Sequence, residues 1–361
     1  MKKVLKIVLA VALLLTAVAG FAACSSEEED TGIQVALLTH SPETVRDDGS
    51  FNEGAWNGIS NFLTSQGLPL TDGVHWQFFS PHAADDAVRL DLIEQAINWG
   101  ADVLVLPGWQ WANAATEAQT VFEDAVFIIL DEVPAELNSN TIAVTFAEEA
   151  AGFLAGYAAV RDGFTELGFM GGISVAPVVR FGHGFLQGAE HAANQMGLEQ
   201  GAITIMYHYL MQFHPGPEVV TAAGTWFVAG TEIIFAAAGG AGSSVMTAAE
   251  ANNGFVIGVD SDQSHLSPTV VISAVKALNY AVYDILTAVA NDTFQGGRHI
   301  VYDASLNGVG LSMGSSQLST FNQTMHDSIL SDLVAGRVSV SNSQDMDEIL
   351  GMIDLVTVVI P

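Results

Sequence analysis

The chain has 361 residues, half of them hydrophobic, with a mean hydropathy of +0.36 and a formal net charge of -30. Forty acidic residues stand against ten Lys and Arg, and three of those ten, Lys2, Lys3 and Lys6, sit at the amino terminus, so no basic stripe remains for a nucleic-acid surface. The one cysteine, Cys24, leaves no partner for an intrachain disulfide and no cysteine-built metal site.

In chain order, three lysines precede an unbroken apolar run from Ile7, and small residues lead to Cys24, which is the pattern of an export leader over residues 1–23. Phe21-Ala22-Ala23-Cys24 is similar to a bacterial lipobox, in which the thiol is acylated and the chain is cut just before it. A plain signal peptide or an uncleaved anchor is the alternative. Residues 24–32 are small and acidic without periodicity, as a flexible tether requires, and the folded body is expected from about residue 33.

Past the tether, β-rich runs alternate with helical patterns. Strand 34–38 precedes helix 54–66, strand 74–79 precedes helix 84–99, strand 103–107 precedes helix 113–123, and strands 126–130 and 141–144 follow. A second cycle sets helix 147–160, strand 167–171, helix 180–196, strand 203–208, helix 217–229, strand 232–237, helix 245–252 and strand 255–259. Strand 270–273, helix 275–291, strand 299–303 and helix 315–335 complete the chain. This alternation predicts an α/β fold of two doubly wound, Rossmann-like lobes, with a single large sheet as the alternative. The expected division is 33–144 plus about 274–308 for lobe 1 and 145–273 plus about 309–361 for lobe 2. The connection is then crossed near Val144, Ser273 and Gly308, which makes a hinge with a cleft beside it. Ligands of parallel sheets sit beyond the carboxyl ends of the strands, which here gathers Asp47 to Trp56, Gly108 to Asn113, Phe213, Gly239 to Gly242 and Asp260.

The segment Asp47-Asp48-Gly49-Ser50-Phe51-Asn52-Glu53-Gly54-Ala55-Trp56-Asn57-Gly58 follows the first strand. Aromatic faces with a few donors and acceptors at the rim suit a flat, polar small molecule. The plainer reading is a loop in which Ser50 or Asn52 caps a helix burying Trp56 and Ile59.

That segment, with Gly152-Phe153-Leu154-Ala155-Gly156-Tyr157, Gly168-Phe169-Met170-Gly171-Gly172, Arg180-Phe181, Gly184-Phe185, Phe235 through Gly242, and Ile257-Gly258-Val259-Asp260-Ser261-Asp262-Gln263, resembles the basic membrane protein family. These are solute-binding lipoproteins of ABC importers, and the best understood members bind purine nucleosides. The resemblance implies a type I periplasmic-binding-protein fold, capture of a nucleoside without covalent chemistry or cofactor, and delivery to a permease with its ATPase subunits, from a lipid anchor on Cys24. It also implies a role for each matching residue. Trp56 and Phe213 stack on opposite faces of the base, and Asp47 and Asn52 meet its polar edge. Asn113 stands where the family usually has an acid, which bears on base preference because an amide both donates and accepts. Asp260 with Lys276 holds the ribose hydroxyls. From its own residues, the turn Gly239-Gly240-Ala241-Gly242 reads as a close backbone approach to a sugar, with Gly240 leaving the cleft open. Lys276 is the sole lysine outside the leader. Arg180 reads as an interlobe or structural ion-pair residue.

The glycine turn lacks the Lys-Ser or Lys-Thr of a phosphate loop, and the ten histidines are scattered without a metal or nucleophile constellation. Asp47-Asp48 makes a nucleoside hydrolase the reasonable enzyme alternative. A sensory ectodomain that passes ligand closure to a membrane partner is the other.

Overall fold

A computed structural model describes residues 32–361; the leader, Cys24 and the tether up to residue 31 lie outside the described residues. Thirteen strands are described, and they form two sheets, so the single-sheet alternative does not hold. The first, lobe 1, contains β1 (Val35–Leu38), β2 (Trp76–Phe79), β3 (Val103–Pro107), β4 (Val126–Leu130), β5 (Thr141–Phe146) and β11 (Arg298–Tyr302) in the order β11-β5-β4-β3-β1-β2, all parallel. The second, lobe 2, has β6 (Glu166–Gly171), β7 (Ile203–Tyr209), β8 (Ile233–Ala237), β9 (Phe255–Asp260), β10 (Val270–Lys276), β12 (Val309–Leu311) and β13 (Val356–Val359) in the order β12-β10-β9-β8-β6-β7-β13. Only β12 runs antiparallel in it.

Continuous apolar runs form the central strands because both faces of a parallel sheet are covered. Val35, Ala36, Leu37 and Leu38 are all fully buried, as are Val103 to Leu106. Lobe 1 is covered by α1 (Phe51–Ser65), α2 (Asp86–Trp99), α3 (Ala112–Val121) and α8 (Leu278–Ala290). Lobe 2 is covered by α4 (Glu148–Asp162), α5 (Ala176–Met196), α6 (Pro217–Ala229), α7 (Gly242–Asn252), α9 (Gln323–Val334) and the short α10 (Met346–Leu350). The chain passes from one sheet to the other after Phe146, after Lys276 and after Tyr302.

Helices α4 and α5 approach unusually closely. A Cβ on Gly152, Gly156, Gly184 or Gly188 would stand 2.0, 2.1, 2.0 and 1.9 Å from the carbonyl oxygens of Phe181, Phe185, Glu149 and Phe153. Hydrogen at these four positions is what lets the backbones touch.

Two expected boundaries are corrected. The helix expected over 315–335 is α9 alone, because Gln317 lies along β10, its N–H donating to Val271 O at 2.8 Å, and Asn322 caps the helix by accepting from Met325 N. Thr320 and Phe321 also give their N–H groups to Asp162 Oδ1. The helix expected from 275 begins at Leu278, since Val275 and Lys276 finish β10 in register with β9 and β12. Strands β12 and β13 and helix α10 are too short to show a period, and the sequence reading omitted them.

Candidate functional site

A cavity of about 1020 Å³ opens between the lobes at the carboxyl ends of the strands. Its walls come from the loops after β1, β2, β3 and β4 in lobe 1 and after β6, β7, β8 and β9 in lobe 2, with Lys276 at the end of β10.

The loop after β1 is held by Asp48. Its carboxylate accepts from the N–H groups of Ser50 (2.9 Å), Asn52 (3.1 Å) and Glu53 (3.1 Å) and from Asn52 Nδ2 (2.7 Å). This cluster satisfies the open end of α1, so the capping expected of Ser50 or Asn52 falls to Asp48 instead, and Ser50 makes no side-chain cap bond. Phe51, first in the helix, lines the cavity, whereas Trp56 does not. Five residues turn the helix by about 140°, so the two rings point to different faces. Trp56 instead packs on Trp76 with centroids 4.0 Å apart, and the Arg46 guanidinium lies 4.9 Å from its ring. The stacking role expected of Trp56 is therefore corrected. Arg46 in turn holds both oxygens of Asp47, at 2.7 and 2.6 Å, and this bond keeps the Asp47 carboxyl below the ordinary range while Asp47 lines the rim.

Asn113 is the second correction. It lies outside the cavity lining and donates to Asp86 Oδ2 at 2.9 Å. The residues of that loop that line the cavity are Gly108, Trp109 and Gln110, and the Gln110 Oε1 is buried without a hydrogen-bond partner among the described residues. Beside it are Arg89, which donates to His40 O at 3.1 Å, and His40, which burial and then Arg89 push down to about 4, so the imidazole is neutral at physiological pH.

From lobe 2, Phe213 and Gly240 both line the cavity. The Phe213 ring rests against Gly172, where a Cβ would come within 2.2 Å of it, and against Gly239. Glycine in this turn thus seats the phenyl ring and opens the backbone to the cavity.

Nearest the chain crossings, Lys276 Nζ meets Asp131 Oδ2 at 2.5 Å, Glu148 Oε1 at 3.5 Å and Asp260 Oδ1 at 3.5 Å. Asp131 belongs to lobe 1, following β4; Glu148 and Asp260 belong to lobe 2. The rings of Phe51, Phe146 and Phe181 surround the ammonium at 4.6, 5.4 and 5.6 Å. Arg180 supports this cluster by binding Glu148 at 2.7 Å, an ion pair within lobe 2. Sequence reading brought Asp260 and Lys276 together but missed Asp131 and Glu148; an acid directly after a buried strand was the available signal for Asp131.

Burial pulls the Lys276 ammonium down, and Asp131, Asp260 and Glu148 outweigh it, so the group is held above the usual lysine range. Burial, with Glu148 and Asp260, pushes Asp131 up to about 7 against the pull of Lys276. An acid raised this way binds its proton more tightly folded than unfolded, so its contribution is fully present below about pH 4 and is lost as pH rises through about 7. The stability difference between Asp131→Asn and the unaltered protein should therefore change between about pH 4 and 7, with the unaltered protein losing ground as pH rises. A constant difference would rule the proton out.

Three buried acceptors in the cavity wall have no partner among the described residues: Asn52 Oδ1, Gln110 Oε1 and Asp131 Oδ1. A buried acceptor left open costs on the order of 1–3 kcal/mol, which a ligand N–H or O–H would recover. Among the described residues, no helix is long and apolar enough to cross a membrane.

Comparison with known proteins agrees with this geometry. Residues 34–344 match the model of the Bmp family, described as ABC transporter substrate-binding protein PnrA-like. The ABC transporter nucleoside-binding protein BmpA of Lactococcus lactis subsp. cremoris is 26% identical over 94% of this chain and 99% of its own. Basic membrane protein A2 of Borrelia garinii subsp. bavariensis is 30% identical over 73% of this chain and 76% of its own. Among solved structures, a solute-binding protein of an ABC transporter system from Aeropyrum pernix K1 superposes with a TM-score of 0.76 at 20% identity, covering 89% of this chain and 96% of that one, and shares the fold. The family match over most of the chain and the two-lobed cleft lead to one conclusion: this chain belongs to the Bmp family of ABC transporter substrate-binding proteins and is not an enzyme.

Proposed function

We propose that the protein captures a nucleoside, with a purine as the preferred base, and passes it to an ABC permease and its ATPase subunits while anchored by lipid on Cys24. The observation that carries this reading is the pair of aromatic rings, Phe51 from lobe 1 and Phe213 from lobe 2, lining one cavity with the open acceptors Asn52 Oδ1 and Asp131 Oδ1. Ring stacking contributes roughly 0.5–1.5 kcal/mol per aromatic beyond area burial. In this reading Asp260 and Lys276 hold the sugar, Gly240 lets it approach the backbone, and Asp47 and Gln110 face the polar edge of the base. The Lactococcus relative, a nucleoside-binding protein by name, supports the same ligand class. The lobes are proposed to move about the three chain crossings.

Calorimetric titration of the body from Ser25 with nucleosides, free bases and ribose tests this. A purine nucleoside should bind more tightly than its base or ribose alone, and Phe51→Ala and Phe213→Ala should each weaken it about tenfold, matching the upper range of a stacked ring. Heat with none of the nucleosides would end the reading.

A further inference from the structure

Besides the three chain crossings, the lobes are joined by a set of buried hydrogen bonds at one edge of the cleft. Ser50 Oγ of lobe 1 donates to Asp260 Oδ2 of lobe 2 at 2.6 Å. Gly49 O accepts from Gln263 Nε2 at 2.9 Å and from Ser261 Oγ at 3.1 Å. Ser50 is fully buried, and Gln263 and Asp260 are 2% and 7% exposed.

Both sides of this contact are stiff. On lobe 1, the four bonds to Asp48 fix the turn that presents Gly49 and Ser50. Gly49 has φ +68°, and a Cβ there would come within 2.8 Å of Leu266 in lobe 2, so the approach requires glycine. On lobe 2, Gln263 Oε1 accepts from Val259 N at 3.0 Å and its own N–H donates to Ser273 Oγ at 3.1 Å. Asp260 itself sits at φ +64°, a left-handed conformation uncommon outside glycine and best tolerated by Asn and Asp. Its two oxygens have different partners, Ser50 on Oδ2 and Lys276 on Oδ1. A carboxylate has about four acceptor positions, so room remains for ligand hydroxyls.

We propose that Ser50 is a positioning residue: its hydroxyl lets lobe 1 set the direction of the Asp260 carboxylate, and the Gly49–Ser50 clasp on Asp260, Ser261 and Gln263 holds the lobes in register before ligand arrives. The first half rests on Asp260 receiving the sugar of a nucleoside. The second half does not depend on the ligand. A sugar-bearing ligand meets a carboxylate already aimed, whereas a free base makes no use of it.

The experiment uses the body from Ser25, which has no cysteine, so two spin labels can be placed on the exposed positions Gln66 of lobe 1 and Gln200 of lobe 2 through Gln66→Cys and Gln200→Cys. In the ligand-free protein, Ser50→Ala should broaden the distribution of label separations, and Gln263→Met, which removes the bond to Gly49 from the other side, should broaden it as well. Unchanged distributions in both overturn the clasp. In titrations, Ser50→Ala should weaken the preferred nucleoside about tenfold and leave the corresponding free base within about twofold. Equal losses for nucleoside and base, or no loss for either, overturn the positioning role. If the unaltered protein binds no nucleoside, the sugar role of Asp260 and the positioning half fall together, and the label separations still decide the clasp.

Discussion

Lys276→Met should lower stability by about 3–5 kcal/mol, the range for breaking a buried ion pair from one side, and Tm by about 5 °C in a body of this size. The side chain of Lys276 is 2% exposed, and its removal leaves Asp131, Glu148 and Asp260 facing one another with Arg180 as the remaining nearby cation. Methionine keeps most of the volume, so the loss reports charge more than a cavity. Without the ammonium the buried carboxylates repel one another, which favours proton uptake by the folded state. Stability of the variant is then retained at low pH and lost as pH rises. Thermal melts near pH 5 and pH 8 test this: the gap to the unaltered protein should be small at the lower pH and wide at the higher. A gap of equal size at both would mean that packing, and not the ion cluster, accounts for the effect.

Gly184→Ala should cost about 3 kcal/mol, the upper part of the range for overpacking, even though alanine is the better helix former. The added Cβ would fall 2.0 Å from Glu149 O, with the Glu149 carbonyl carbon at 2.8 Å, and backbone cannot rotate away as a side chain would. Restoring ordinary contact requires α4 and α5 to separate by roughly 1 Å or more. That movement reaches the cleft, because α4 begins with Glu148 and α5 carries Arg180, and their 2.7 Å bond supports Lys276. The variant should therefore lose ligand affinity as well as stability. Gly224→Ala in α6 is the control. There the nearest atom to the new Cβ is Asn252 Nδ2 at 3.7 Å, so the same chemical change should stabilise by about 0.5–1 kcal/mol. Denaturant unfolding of both variants decides the matter, and a Gly184→Ala protein as stable as its parent would refute the tight contact.

The α/β alternation was legible in the chain because parallel strands buried on both faces must be continuous apolar runs, and those of β3 and β4 stood out between polar helix faces. Elements without such runs were not legible. β13 and β12 are short edge strands, and residues 315–322 have an apolar spacing that their hydrogen bonds to β10 and Asp162 override. Within the binding segment the residue types were informative and their directions were not: Phe51 and Trp56 are both aromatic, and only the start of α1 decides which one faces the cavity.

By itself the sequence determined the order of the longer strands and helices, the excess of acid, and the sole lysine after residue 6, placed after a strand that ends in aspartate. Tertiary structure decided what that lysine meets. Asp131 and Glu148 lie 145 and 128 residues from it along the chain and reach it because the lobes share a crossing region. The same holds for Ser50 and Asp260, separated by 210 residues. Periodicity reports the burial of one element against its layer, whereas a site between lobes depends on side-chain directions and distances that arise only once both sheets are folded and joined.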